Sequence, residues 1–127
     1  MKIKISRLDK KFSQYVRGKA GWKCERCGKQ YRPPTSGLHC AHIFTRAKKS
    51  TRFDIDNLKS WCYGCHSYMD GNPLDKYDWY IKKHGQKKFD QLRLKSNIPQ
   101  KPDYTMLELW VNIKLKELNI IGEELFK

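Results

Sequence analysis

The chain has 127 residues, close to the usual size of one domain and long enough to bury a core without disulfide help. Lys and Arg outnumber Asp and Glu by 27 to 13, a formal net charge of +14 with a sequence pI near 9.7, so a polyanion is the natural partner. No stretch is long and apolar enough to span a membrane, Met1 to Ser6 carries no signal-peptide core, and five cysteines is an odd number for a secreted disulfide framework. A reducing cytoplasm is therefore the expected compartment, with no membrane partner.

In chain order, residues Asp9 to about Gly18 place Phe12, Tyr15 and Val16 at helical spacing, with Gly18 and Gly21 ending the helix. Cys24-Glu25-Arg26-Cys27-Gly28 reads as a tight turn whose glycine takes the left-handed conformation, and Pro33 to Gly37 as a loop. Leu38 to Phe44 is a short apolar strand, Arg46 to Asp56 a basic loop, and Asn57 to Cys62 a second extended segment, with a helix opening at Cys65. Pro73 suits a helix start and His84-Gly85 a helix end near the negative pole of the dipole. A further helix carries Phe89, Leu92 and Leu94. After the break at Asn97 to Pro102, Asp103 or Thr105 caps a longer helix through Leu107, Trp110, Val111, Leu115 and Leu118, closed by Gly122. The expected architecture is a single α+β domain: residues 1–22 a helical segment, 23–73 a core that carries two Cys-x-x-Cys pairs, and 74–127 a helical extension.

Chemistry concentrates in that core. Cys24-x-x-Cys27 and Cys62-x-x-Cys65 have the spacing of two zinc knuckles, which together supply four thiolates for a closed, tetrahedral, structural Zn²⁺ site. The fifth cysteine, Cys40, has apolar neighbours and reads as a plain buried thiol. The histidines remain free for other work.

The order His42, Asn57, His66, on a strand, after a basic loop and on a helix, resembles the HNH endonuclease family with its ββα-metal core. The bracketing knuckles resemble its treble-clef zinc-ribbon version, and the chain is similar to small phage HNH nucleases, including NinG/Rap-type recombination nucleases. Cys24-x-x-Cys27-Gly28, His42, Arg52-Phe53, Asn57, Cys62-x-x-Cys65, Gly71-Asn72, Tyr77 and Gly85 carry the likeness, over about residues 23 to 95. It implies cleavage or nicking of DNA, duplex or branched, leaving a 5′ phosphate and a 3′ hydroxyl, at a single divalent metal with few protein ligands. A phage or prophage gene acting in a bacterial host is also what it implies.

The roles have physical grounds as well. A neutral imidazole can take the proton of an attacking water, and His42 is the expected general base. His66 is the expected ligand of the catalytic ion, Mg²⁺ or Mn²⁺, with imidazole also admitting Ni²⁺, Co²⁺ or Zn²⁺. On a helix, successive residues project about 100° apart, so Cys65 can face the structural zinc while His66 faces the cleft. Asn57 is expected to orient His42 through its side chain or carbonyl. Where HNH enzymes often place Asp or His directly before the base, this chain has Ala41, and His39 is the expected substitute. Strand alternation puts His39 and His42 on opposite faces unless the strand bends or ends between them. Arg46 and Arg52 are expected to clamp phosphates, and Lys48 and Lys49 to lie along the backbone.

Two other classes fit the same residues: a non-catalytic zinc-ribbon DNA-binding protein, and an RNA-directed or junction-specific protein of recombination or packaging, with Trp61, Tyr63 and Tyr68 contacting unpaired bases. A 15.2 kDa chain with one site would nick as a monomer, or cut both strands as a weak homodimer through the helix at 103 to 121.

Overall fold

The computed structural model describes residues 5–125, with side chains described through residue 119; the outermost residues of the two expected terminal segments lie outside that range. The protein is a small α+β fold: helix α1 (Arg7–Lys19), strand β1 (Leu38–His42), a 3₁₀ turn (Ile55–Asn57), strand β2 (Leu58–Cys62), then helices α2 (Tyr63–Asp70), α3 (Pro73–His84), α4 (Gln86–Ser96) and α5 (Tyr104–Leu125).

The helix α1 begins two residues earlier than its apolar spacing predicts, because Ser6 and Asp9 form a capping box in which the Ser6 Oγ accepts from the Asp9 N–H and the Asp9 carboxylate accepts from the Ser6 N–H. It also runs through Gly18 rather than ending there. The absent Cβ at Gly18 is what lets α5 approach, since a methyl group there would sit 3.1 Å from Leu118 Cδ1. The last helix continues through Gly122 to Leu125 instead of stopping at the glycine. Its capping is as expected at Asp103, whose Oδ1 accepts from the Met106 N–H.

β1 and β2 form a two-stranded antiparallel sheet in which His39 faces Trp61, Cys40 faces Ser60 and His42 faces Leu58. All five β2 residues are buried, because both faces are covered. On one side α1 and α5 bring Phe12, Val16 and Val111 against Cys40, Leu58 and Phe53; on the other, α2 to α4 bring Met69, Tyr80, Phe89 and Leu92 against Ala41, Ile43 and Trp61. Burying each such large side chain contributes roughly 1.5–3 kcal/mol. Trp61 is fully buried and packs edge-on against Trp79, so it belongs to the core and is not available to unpaired bases. Among the described residues, no helix is long and apolar enough to cross a membrane.

Candidate metal centre and histidine cavity

The two knuckles meet. One potential ligand atom from each of Cys24, Cys27, Cys62 and Cys65 lies within 4.8 Å of all the others, and Cys27 Sγ stands 3.8 Å from Cys62 Sγ, close to the edge of a tetrahedron built on Zn–S bonds of about 2.3 Å. The four cysteines could therefore hold a metal such as zinc. Each knuckle folds its own backbone toward sulfur: the Cys27 N–H donates to Cys24 Sγ and the Cys65 N–H to Cys62 Sγ, both at 3.4 Å. Gly28, at φ +81°, closes the first turn as expected. The second knuckle doubles as a helix start, so α2 begins at Tyr63 rather than Cys65, with Cys62 as its N-cap.

Sulfur charge also needs a cation. Burial raises the Cys24 thiol, but nearby backbone hydrogen bonds outweigh it and bring it down to about 7, while burial pushes Cys65 up to about 12. A divalent ion is the ordinary means of keeping four such thiols ionised together. Arg26 adds a donor, its Nη1 lying 3.4 Å from Cys65 Sγ and its guanidinium over the Tyr68 ring. Cys40 stands apart, buried, its thiol pushed up to about 12 by that burial.

His39, His42 and His66 all border one cavity of about 570 Å³ between α1, β1 and α2. The strand ends at His42, and the alternation that would separate His39 from His42 does not keep them from sharing this space. Their partners settle their tautomers. His39 Nε2 donates to the Ser36 carbonyl at 3.1 Å, His42 Nε2 donates to the Arg52 carbonyl at 3.1 Å, and His66 Nε2 donates to Asp70 Oδ2 at 3.0 Å. In the neutral imidazoles all three Nδ1 atoms then carry lone pairs. Those of His39 and His66 are 3.0 Å apart, against about 2.9–3.4 Å for two nitrogens on one divalent ion at metal–nitrogen distances near 2.0–2.1 Å. Two such ligands leave most coordination positions open.

The surroundings of His42 and His66 favour their neutral rings. Burial, reinforced by the Arg46 guanidinium, pushes His42 down to about 4; burial also lowers His66, against the pull of Asp70. Arg46 has an enclosed Nε with no hydrogen-bond partner among the described residues, and it borders the same cavity.

Two assignments change. Arg52 is engaged within the protein, its Nε and Nη2 bonding the two oxygens of the buried Asp9 at 3.1 and 2.6 Å, so its guanidinium serves as a tie between α1 and the loop. What orients His42 is the Arg52 carbonyl, and Asn57 acts one step away. Fully buried, Asn57 accepts from the Phe44 N–H at 2.7 Å and donates to the Phe44 and Thr51 carbonyls at 2.9 and 3.0 Å, while its own carbonyl accepts from the Ile43 N–H. It pins the chain on both sides of the loop that carries the Arg52 carbonyl. Lys48 donates to Asn97 at the surface and Lys49 is exposed, both outside the cavity.

Two contributors were not foreseen. Asp70 holds His66 from one side and Lys76 from the other, the Lys76 Nζ lying 3.1 Å from Asp70 and 3.3 Å from the His42 carbonyl. The spacing of His66 and Asp70, four apart on one helix, was legible as a pair. A buried Lys76 was not, because nothing local marks it. His84 ends α3 as expected, with Lys59 Nζ donating to its Nε2 at 2.8 Å.

Comparison with known proteins gave no matching family model, no matching curated protein and no matching solved structure.

Proposed function

We propose that the protein is a metal-dependent HNH-type endonuclease that hydrolyses DNA phosphodiester bonds. The observation that carries this reading is the set of three imidazoles, each held at Nε2 by a backbone or carboxylate acceptor, around one cavity with the unpartnered Arg46 Nε. The β1–β2–α2 order, with the histidines on the strand and the helix, and the excess positive charge support it.

In this reading His42 Nδ1 takes the proton of the attacking water, and the Arg52 carbonyl accepts from Nε2–H throughout and steadies the imidazolium that forms. A pKa near 4 keeps the ring unprotonated in the cell, and an anionic phosphodiester alongside strengthens the base by favouring its protonated form. Arg46 pairs with the phosphate. His66 and His39 would hold a divalent ion, Mg²⁺ or Mn²⁺, which when bound would supply neutralisation of the charge that develops during hydrolysis. Zinc in the four-cysteine cluster is structural. Lys48 and Lys49 lie along the duplex outside the cavity and steer without reading sequence.

The test is cleavage of supercoiled plasmid by zinc-replete protein supplied with Mg²⁺ or Mn²⁺, beside His42→Ala protein that still binds DNA. Loss of general-base catalysis should lower the rate by about 10²–10⁴-fold. Equal cleavage by both proteins removes His42 from the chemistry. Binding without cleavage by either makes the protein a zinc-stapled DNA-binding module.

A further inference from the structure

The cavity has a wall that the His42, Asn57 and His66 pattern does not include. Lys10, Ser13, Gln14 and Arg17 follow one another at helical spacing along α1, and all four border the cavity across from His39, His42 and Arg46. The apolar residues of the same helix, Leu8, Phe12, Tyr15 and Val16, are buried, Leu8, Tyr15 and Val16 away from the cavity and Phe12 at its base. So α1 docks by one face and turns a polar face to the site.

The four polar residues are not equivalent. Arg17 is occupied, its guanidinium donating to the Ser13, Thr35 and Leu38 carbonyls and holding the chain that leads into β1. Lys10 and Gln14 are exposed, and their side chains make no hydrogen bond or ion pair in the described structure. One offers a cation and the other an amide to whatever enters. The apolar residues that border the cavity at its base, Phe12, Leu38, Phe53 and Leu58, are buried in the core, so a ligand meets the polar rim. A volume of about 570 Å³ is that of a single-ligand pocket, so it admits part of one strand and not a duplex.

Resting on the nuclease reading, we propose that α1 is the second wall of the substrate cleft. One sugar-phosphate strand lies across the mouth of the cavity, along the polar face of α1 and past the histidines of β1 and α2, Lys10 pairs with a phosphate next to the scissile one, and Gln14 hydrogen-bonds the nucleotide between them.

The experiment compares wild type, Lys10→Ala, Gln14→Ala and Lys87→Ala in duplex-DNA binding by anisotropy across salt concentrations and in steady-state cleavage. Lys87 is the charge-matched control, exposed and bordering a different cavity. The expected result is a KM and a Kd raised about 5–20-fold in Lys10→Ala and Gln14→Ala, with kcat falling less than about threefold. Lys10→Ala should also flatten the dependence of log Kd on log salt by about one. Lys87→Ala should shift KM by less than about twofold. Wild-type KM in both α1 variants of an active enzyme overturns the proposal, as does a Lys87→Ala effect as large as that of Lys10→Ala. A wild type that neither binds nor cleaves DNA overturns the nuclease reading, and this proposal with it.

Discussion

His42 and His84 share an uncommon condition: each is a histidine whose surroundings oppose its charge. At His42 the cause is burial and then Arg46; at His84 it is burial and then the Lys59 ammonium 2.8 Å away. Both are pushed down to about 4 in the folded protein, whereas an unfolded imidazole titrates near 6.5. Between those values the unfolded chain binds more protons, so stability is fully present above about pH 6.5 and is lost as pH falls toward 4. Urea midpoints should therefore drop more steeply over this window for wild type than for a His42→Gln/His84→Gln double variant. Using the difference between the two proteins removes the contribution of metal loss in acid, and parallel profiles would contradict the assigned shifts. The histidines were conspicuous in the sequence as residue types, but their tautomers were not. Those depend on the Ser36 and Arg52 carbonyls and on Asp70, and a carbonyl is carried by every residue alike.

The helix α2 does three things in eight residues. Cys62 caps it with a sulfur that also belongs to the cluster, Cys65 reaches the cluster from within, and His66 turns to the cavity as the 100° rotation between neighbours predicts. Asp70, at its far end, fixes the His66 ring and is itself held by Lys76 of α3. On the nuclease reading, removing that carboxylate charge should weaken divalent-ion binding: Asp70→Asn is expected to raise the Mn²⁺ concentration for half-maximal cleavage about 10–100-fold while the zinc content is unchanged. An unchanged Mn²⁺ requirement would mean that His66 does not depend on Asp70. The helices and strands were largely legible, because apolar spacing and Pro73, Gly28 and the cysteine pairs are local signals. The ties between elements were not. Arg52 to Asp9 spans 43 residues, and a basic residue after a basic loop reads as a phosphate clamp until its partner on α1 is seen. The start of α1 differs for another reason: Ser6 and Asp9 cap reciprocally, but the helical spacing read from the sequence rests on Phe12, Tyr15 and Val16, and Leu8, the one apolar residue of the stripe in the first turn, is too little to extend it.

Across the chain, the cysteine cluster joins the turn after α1 to the end of β2 and the start of α2, segments more than thirty residues apart. Apparent binding energies of about 10–16 kcal/mol for structural zinc in finger peptides match or exceed the roughly 5–15 kcal/mol net stability of an ordinary domain. Cys24→Ser should then abolish cooperative thermal unfolding and release zinc; a soluble, cooperatively melting variant without metal would refute a structural role for the cluster. The two layers around the sheet are packed independently of the cluster on the α1–α5 side, so partial order there is expected to outlast the loss of zinc.

Cys65 and His66 are joined by a single peptide bond, one turned to the cluster and the other to the cavity. On the nuclease reading, a strong chelator is therefore an ambiguous inhibitor: stripping the thiolates would displace the imidazole next door and stop cleavage even with abundant magnesium. Order of addition becomes the diagnostic. Activity that returns on magnesium alone reports an emptied cavity with the scaffold intact, whereas activity that returns only after zinc is supplied first reports a scaffold that had to be rebuilt.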